Sequence, residues 1–235
     1  MKAFWICSAL LSMVAAIPLQ NTNIEEILRN DNPSALESII LNLIEDLRET
    51  IYNGSEDLPV LDPLYIDELT LTDEDVPLPG AHLQLKDTTV QNLGSFVVDE
   101  ISVSSLLIIN RVHLSGYIPV IDVDNGHYDL SVSVAGYSVF GAGRSRLKII
   151  NPRITADLTI QLGIISGMTL TQCDVKFNLG AFEPEISGLF GHEGASEFVN
   201  WFLQDLVPEL VIFYETEIND FLSDVVRDIV SDALP

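Results

Sequence analysis

The sequence predicts an α+β domain in which a curved antiparallel sheet packs against two long helices. Three observations carry this. A strand-rich middle, about Leu58 to Leu179, is bracketed by amphipathic helical segments at about Thr22 to Tyr52 and about Gly194 to Ala233. Within the middle, apolar and polar residues alternate with a period of two, as they do in a sheet with one buried face. Finally, the chain is 47% hydrophobic with a mean hydropathy of +0.29 although its formal charge is −24. Disordered acidic chains combine charge with low hydropathy, so here the charges must coat a large apolar interior. A long helix lying in the hollow of a curved sheet encloses an elongated apolar space, which is either filled core or ligand cavity.

Taken in order, Met1 to Ala16 reads as a secretory signal peptide: Lys2, an apolar run Ala3 to Met13, then the small residues Val14-Ala15-Ala16 before Ile17. The run is too short for a bilayer span of ~20 residues, and no later stretch reads as a transmembrane anchor. The expectation is a secreted, extracellular protein with one domain over residues 17–235. Cys7 leaves with the signal and Cys173 becomes the lone cysteine, so no internal disulfide can form. A reduced, buried thiol is expected there, with a disulfide-linked dimer as the alternative. The acidic surface repels nucleic acid and anionic membranes at long range.

The first helical segment opens on a capping-box pattern, Thr22 to Glu25. It restarts at Asn32-Pro33, with Asn32 as cap and Pro33 in the first turn. Leu36, Ile40, Leu43, Leu47 and Ile51 then recur at helical steps. Asn53-Gly54-Ser55 follows as the one glycosylation sequon, and Leu58 to Pro63 as a crossover. Strands are expected at Leu64 to Leu71, His82 to Val90, Phe96 to Ile109 (long and bulged) and Val112 to Ile121. Asn125-Gly126 reads as a type I′ hairpin turn. After it Leu130, Val132 and Val134 should point inward and Asp129, Ser131 and Ser133 outward. Gly141-Ala142-Gly143 should break the next run. Leu158 and Ile160 should face in, Asp157 and Thr159 out. In the following strand the apolar face switches between Met168/Leu170 and Cys173, Val175 and Phe177, which calls for a bulge. The last helix carries Phe198, Trp201, Phe202, Leu206, Leu210, Tyr214, Ile218, Phe221, Val225 and Ile229 in one stripe, and Pro208 should kink or divide it.

No catalytic motif competes with an architectural reading. The histidines His82, His113, His127 and His192 show no metal-ligand spacing. Gly136 to Gly141 is not a nucleophile elbow because the second glycine comes one residue late. Gly141-Ala142-Gly143 precedes Arg144 rather than a helix, so it is no dinucleotide loop. Asp122-Val123-Asp124-Asn125-Gly126 fails calcium-loop spacing. No metal, no cofactor and no enzyme activity are expected. Arg144, Arg146, Lys148 and Arg153 concentrate basic charge in ten positions, either as a docking patch or as a solvated strand face.

Several short stretches together resemble a known superfamily. Leu61-Asp62-Pro63-Leu64 after the N-terminal helix, Leu114-Ser115-Gly116-Tyr117 and Gly141-Ala142-Gly143 are similar to insect juvenile-hormone-binding and takeout-like proteins. Met168-Thr169-Leu170-Thr171 and Ile186-Ser187-Gly188-Leu189 are similar to the mite group 7 allergens. Both are single-module members of the tubular lipid-binding (TULIP) superfamily. The resemblance implies an α/β-wrap: a strongly curved antiparallel sheet wrapped around a long C-terminal helix, with a second long N-terminal helix. It also implies carriage or sensing of a terpenoid, fatty acid or other lipid. The departure is in cysteine, since the hormone carriers use disulfides that this mature chain lacks.

The expected ligand site lies between the sheet and the last helix. It comprises Trp201, Phe202, Leu206, Leu210 and Tyr214 from the helix and Leu130, Val132, Leu158 and Phe177 from the sheet, with Tyr214 as the orienting polar group. The same side chains make ordinary core if the space is filled. The chain is then a protein-interaction module with a vestigial pocket, its partner another protein such as a receptor. The oligomeric state is left open.

Overall fold

The computed structural model describes residues 33–55, 58–75, 80–134, 137–162 and 168–233. The signal peptide, the Thr22 capping box, Asn32 and the Gly167 turn lie outside the described residues. Among the described residues, helix α1 spans Pro33–Asn53. Among the described residues nine strands follow: β1 (Leu64–Thr72), β2 (His82–Gln91), β3 (Val97–Leu106), β4 (Ile109–Tyr117), β5 (Val120–Val134), β6 (Tyr137–Ile150), β7 (Arg153–Leu162), β8 (Met168–Asn178) and β9 (Ala181–Ile186). Helices α2 (Glu193–Phe213) and α3 (Glu215–Ala233) close the chain.

All strand pairs are antiparallel, in two sheets of order β1-β2-β5-β6-β9 and β3-β4-β7-β8. We call them sheets A and B. β2 leads into β3, β4 into β5, β6 into β7 and β8 into β9, so the sheets meet end to end along a seam. Backbone bonds tie three of these crossings together: Ile118 N–H to Pro152 O (3.1 Å), Asn151 N–H to Pro119 O (3.0 Å) and Gly180 N–H to Ile150 O (3.1 Å). Pro119 and Pro152 cannot donate to a ladder, which is why the pairing stops here and restarts beyond.

The helices seal the sheet edges. An unpaired strand edge exposes N–H and C=O groups that must find partners. On β9, Asn200 of α2 accepts from Ile186 N–H and donates to Ile186 O, both at 3.0 Å, so its carboxamide stands in for a neighbouring strand. On β8, Ser223 Oγ of α3 accepts from Val175 N–H (2.8 Å) and Asn219 Oδ1 accepts from Phe177 N–H (2.8 Å). On β3, Glu37 of α1 accepts from Val103 N–H (3.2 Å), and Arg48 donates to Phe96 O (2.9 Å) while stacking on the Phe96 ring.

The structure corrects four expectations. The long strand Phe96–Ile109 is a hairpin: Leu106 pairs with Ile109, and Leu107 closes the turn at φ 57°. No glycine or asparagine marks that turn. Asn125-Gly126 is not a turn but a bulge inside the fifteen-residue β5. It aligns with Asp87 of β2 (φ 54°), where a Cβ on Gly126 would lie 3.0 Å from Asp87 Cβ. The buried Asn125 side chain makes this stable, donating to Lys86 O (2.8 Å) and His127 O (3.1 Å) and meeting Thr88 Oγ at 2.9 Å. Gly141-Ala142-Gly143 does not break β6. It makes room for the Ser187–Leu189 segment, since a Cβ on Gly143 would lie 2.6 Å from Ser187 O. Finally, Pro208 lies within α2 and the helix divides at Tyr214, because α2 follows sheet A and α3 follows sheet B.

Other expectations hold. β7 and β8 slip register between Thr159 and Ile160, so Leu170 and Cys173 share one face across a bulge. Leu130, Val132, Leu158 and Ile160 are more sheltered than Asp129, Ser131 and Asp157, while Thr159 is half-buried. The Val134 side chain lies outside the described residues. Cys173 is a free thiol only 2% exposed, and burial pushes its pKa up.

One titratable contact crosses the outer face of sheet B. His113 Nδ1 lies 2.7 Å from Asp157 Oδ1, and its Nε2 lies 3.7 Å from Glu100. The hydrogen bond to Asp157, with help from both carboxylates, raises the His113 pKa above its ordinary value. The charged pairing therefore stabilises the fold fully below about pH 6.5 and is lost as pH rises through the raised folded-state value. Urea unfolding of wild type and His113→Asn should show a stability gap that narrows as pH is raised above about 6.5. A gap that widens with pH would contradict this.

Candidate functional site

The bulge on β5 organises the inner face of sheet A. On β1, Leu64 and Ile66 line up with Leu69 and Leu71 once the chain has stepped past Asp67. On β5, Leu130 and Val132 align with Leu83 of β2 and with Gly141 and Val139 of β6. Sheet B presents a matching face: Val103, Val112, Leu158 and Cys173 stand in register across its four strands.

These faces are lined up, and several of their side chains keep accessible surface. Among the described residues, ten apolar side chains are buried while eighteen large ones are well exposed. The buried ten cluster at the α1 crossover (Ile51, Leu58, Leu61), in sheet B and around Tyr128 and Leu189. Leu130, Val132, Leu158 and Phe177 remain only half-buried.

The nine expected ligand residues fall into separate groups. Leu130 and Val132 belong to sheet A, whereas Leu158 and Phe177 belong to sheet B beside α3. On α2, Ser196 and Asn200 face the sheet edge and Leu206 is half-buried. Trp201 is 62% exposed, and Phe202, Leu210 and Tyr214 are also exposed. Phe198 gathers two of these rings, stacking with Phe202 (6.4 Å, 8° between planes) and leaning on Trp201 (6.1 Å). Tyr214 sits at the α2–α3 junction with its ring edge-on to Phe213 at 4.9 Å. The stripe read as one helix face is thus split by the seam.

Sequence reasoning missed the inner-face polar groups. Thr88 and Asn125 are buried side by side in sheet A with the half-buried Ser145 beyond them, and Asn110 is fully buried in sheet B. Asn125 was hidden by its turn-like dipeptide, and Asn110 by falling between two expected strands, Phe96 to Ile109 and Val112 to Ile121, where the structure has one strand, β4. Tyr128 closes the sheet A interior, its hydroxyl donating to Ser187 O at 2.6 Å, and burial raises its pKa.

The basic cluster is not a patch of one sign. Arg146 and Arg144 share Asp124, at 2.6 and 3.7 Å. These residues line a shallow polar hollow with Glu185 on the surface of sheet A. Arg153 stands apart at the seam, paired with Asp99 (2.6 Å), bonded to Ser115 Oγ and stacked on Tyr117. Asn53 is exposed at the end of α1. Among the described residues no helix is long and apolar enough to cross a membrane.

The model of the haemolymph juvenile hormone binding protein family matches residues 5–235. The chain belongs to this family. Among solved structures, Takeout 1 of Epiphyas postvittana superposes with a TM-score of 0.52 at 15% identity, covering 86% of this chain and 91% of that one. At that identity the likeness is one of fold, and it is the takeout-like wrap expected from the sequence. A lipopolysaccharide binding protein aligns at a TM-score of 0.37 and 12% identity, over 87% of this chain and 38% of that one. No curated protein matches the sequence. Family membership thus rests on the family model, and the Takeout 1 superposition shows the fold.

Proposed function

We propose that this family member is a secreted, non-catalytic carrier of a hydrophobic small molecule such as a terpenoid, fatty acid or other lipid. The observation that carries the reading is incomplete burial of the inner faces: side chains such as Leu130, Val132 and Leu158 are held in register by the two sheets yet stay only half-buried. A protein this apolar gains about 25 cal/mol for each Å² of apolar surface it covers. Leaving a lined face open is costly unless something else covers it. An apolar ligand does so without adding charge. The competing account, an interaction module with a vestigial pocket, requires those side chains to pack against one another.

The family named for juvenile hormone binding and the takeout-like fold support a lipid or hormone ligand. The helix stripe Trp201, Phe202, Leu206, Leu210 and Tyr214 is taken as the helical wall of the site. Secretion follows from the Met1–Ala16 reading, and the exposed Asn53 sequon fits passage through the secretory route.

Protein secreted by eukaryotic cells and purified without detergent should yield an apolar compound to organic extraction, identified by mass spectrometry. Phe202→Asp and Leu210→Asp should lower its recovery while circular dichroism stays unchanged. Equal recovery from wild type and both variants would remove α2 from the site.

A further inference from the structure

We propose that the Asn110 carboxamide is the polar anchor of the ligand, donating a hydrogen bond to a carbonyl or carboxylate oxygen on an otherwise apolar molecule. The inference rests on the carrier reading above and deepens it.

Asn110 is the first inward residue of β4, paired with Ser105 of β3 and Ile160 of β7. Its neighbours on that face, Val103, Val112 and Ile160, are all buried and apolar. Asn110 itself is 0% exposed. Ser105 Oγ donates to its Oδ1 at 2.6 Å, which fixes the amide plane. That leaves Nδ2 buried with no hydrogen-bond partner. A buried donor in that state costs about 1–3 kcal/mol, and such groups are rare enough in native proteins that each calls for a reason. With the Ser105 hydroxyl donating to Oδ1, the vacancy falls on the donor end of the amide.

The unmet need is chemically specific. An N–H requires an acceptor, so an ester, ketone or carboxylate oxygen satisfies it, while a plain hydrocarbon leaves it unpaired. A site built to pair such a group rejects the analogue that lacks it. The adjoining hairpin turn is apolar and exposed. Leu106, Leu107 and Ile108 are exposed at the end of sheet B, and Leu107 holds a left-handed conformation that a leucine adopts only at a cost.

The test uses the full secreted protein and the apolar probe N-phenyl-1-naphthylamine, displaced by methyl laurate or by tetradecane, a hydrocarbon of similar length. Wild type should prefer the ester by about tenfold, the effect of one well-placed hydrogen bond. Asn110→Leu should keep probe and tetradecane binding and lose the preference for the ester. An Asn110→Leu protein that still prefers the ester overturns the anchor and leaves the carrier reading standing. Wild type that binds no probe overturns the carrier reading and the anchor with it. Should Asn110→Leu fail to fold, the carbonyl stretch of carbon-13-labelled methyl laurate bound to wild type decides. A band at lower wavenumber than in hexane is expected, and a hexane-like band refutes the anchor.

Discussion

Gly188→Ala is expected to lower the melting temperature by roughly 6–12 °C, the equivalent of about 3 kcal/mol in a chain of this size. Gly188 sits at φ +76°, and a Cβ there would lie 2.1 Å from the backbone oxygen of Ala142. Left-handed backbone alone costs an alanine about 1–2 kcal/mol. The remainder comes from pushing apart β6 and the segment that leads into α2, because a backbone oxygen cannot turn aside as a flexible side chain can. Gly191 supplies the control: it has φ +65° but no atom within 4 Å of the added Cβ. Gly191→Ala should therefore show the conformational cost without the collision. Thermal melts of the two variants beside wild type check this, and equal losses would mean that the contact with Ala142 carries no energy.

Asn200→Leu is expected to destabilise the fold by about 2–3 kcal/mol and to release the start of α2 from β9. Leucine keeps the approximate shape and deletes both bonds to Ile186, stranding an N–H and a C=O that each cost about 1–3 kcal/mol when fully buried. They are only partly buried here, which places the sum toward the lower end. Hydrogen exchange gives the sharper readout, since the Ile186 amide should lose protection while the Val175 and Phe177 amides, held by α3, keep theirs. A freed β9 edge would also offer a template for strand addition, so the variant should aggregate sooner on heating. Unchanged exchange at Ile186 would show that the carboxamide does not seal this edge.

How much of this was legible in the sequence differs by element. The helices and most strands could be read because apolar residues recur at helical or alternating steps, and the β7–β8 bulge because Leu170 and Cys173 cannot share a face in a regular strand. The Leu107 turn was illegible because its cost is carried by tertiary pairing rather than by glycine. Asn125-Gly126 misled because the residues that tolerate a hairpin turn also tolerate a bulge. Several stretches carrying the family resemblance are joints rather than contacts to a ligand. Asp62 accepts from the Asn92 and Gly94 amides, Gly116 allows Val97 O to approach, and Gly141-Ala142-Gly143 receives Ser187 to Leu189. They announce the fold and say nothing of the cargo. The site is harder, because a side chain lining a cavity and one filling a core obey the same periodicity. Only three-dimensional pairing shows that Leu130 and Leu158 belong to different sheets, or that Asn110 lacks a partner.

The central claim is that the open apolar faces exist to hold a small hydrophobic molecule. Titrating the delipidated protein into a fluorescent fatty acid, with a terpenoid as competitor, tests it most directly. The account predicts saturable uptake with Kd on the order of micromolar, the outcome when a few hundred Å² of apolar surface is covered against the cost of association, together with a rise in melting temperature as ligand is added. Fluorescence that never saturates, with a melting temperature indifferent to fatty acid and terpenoid alike, would contradict it.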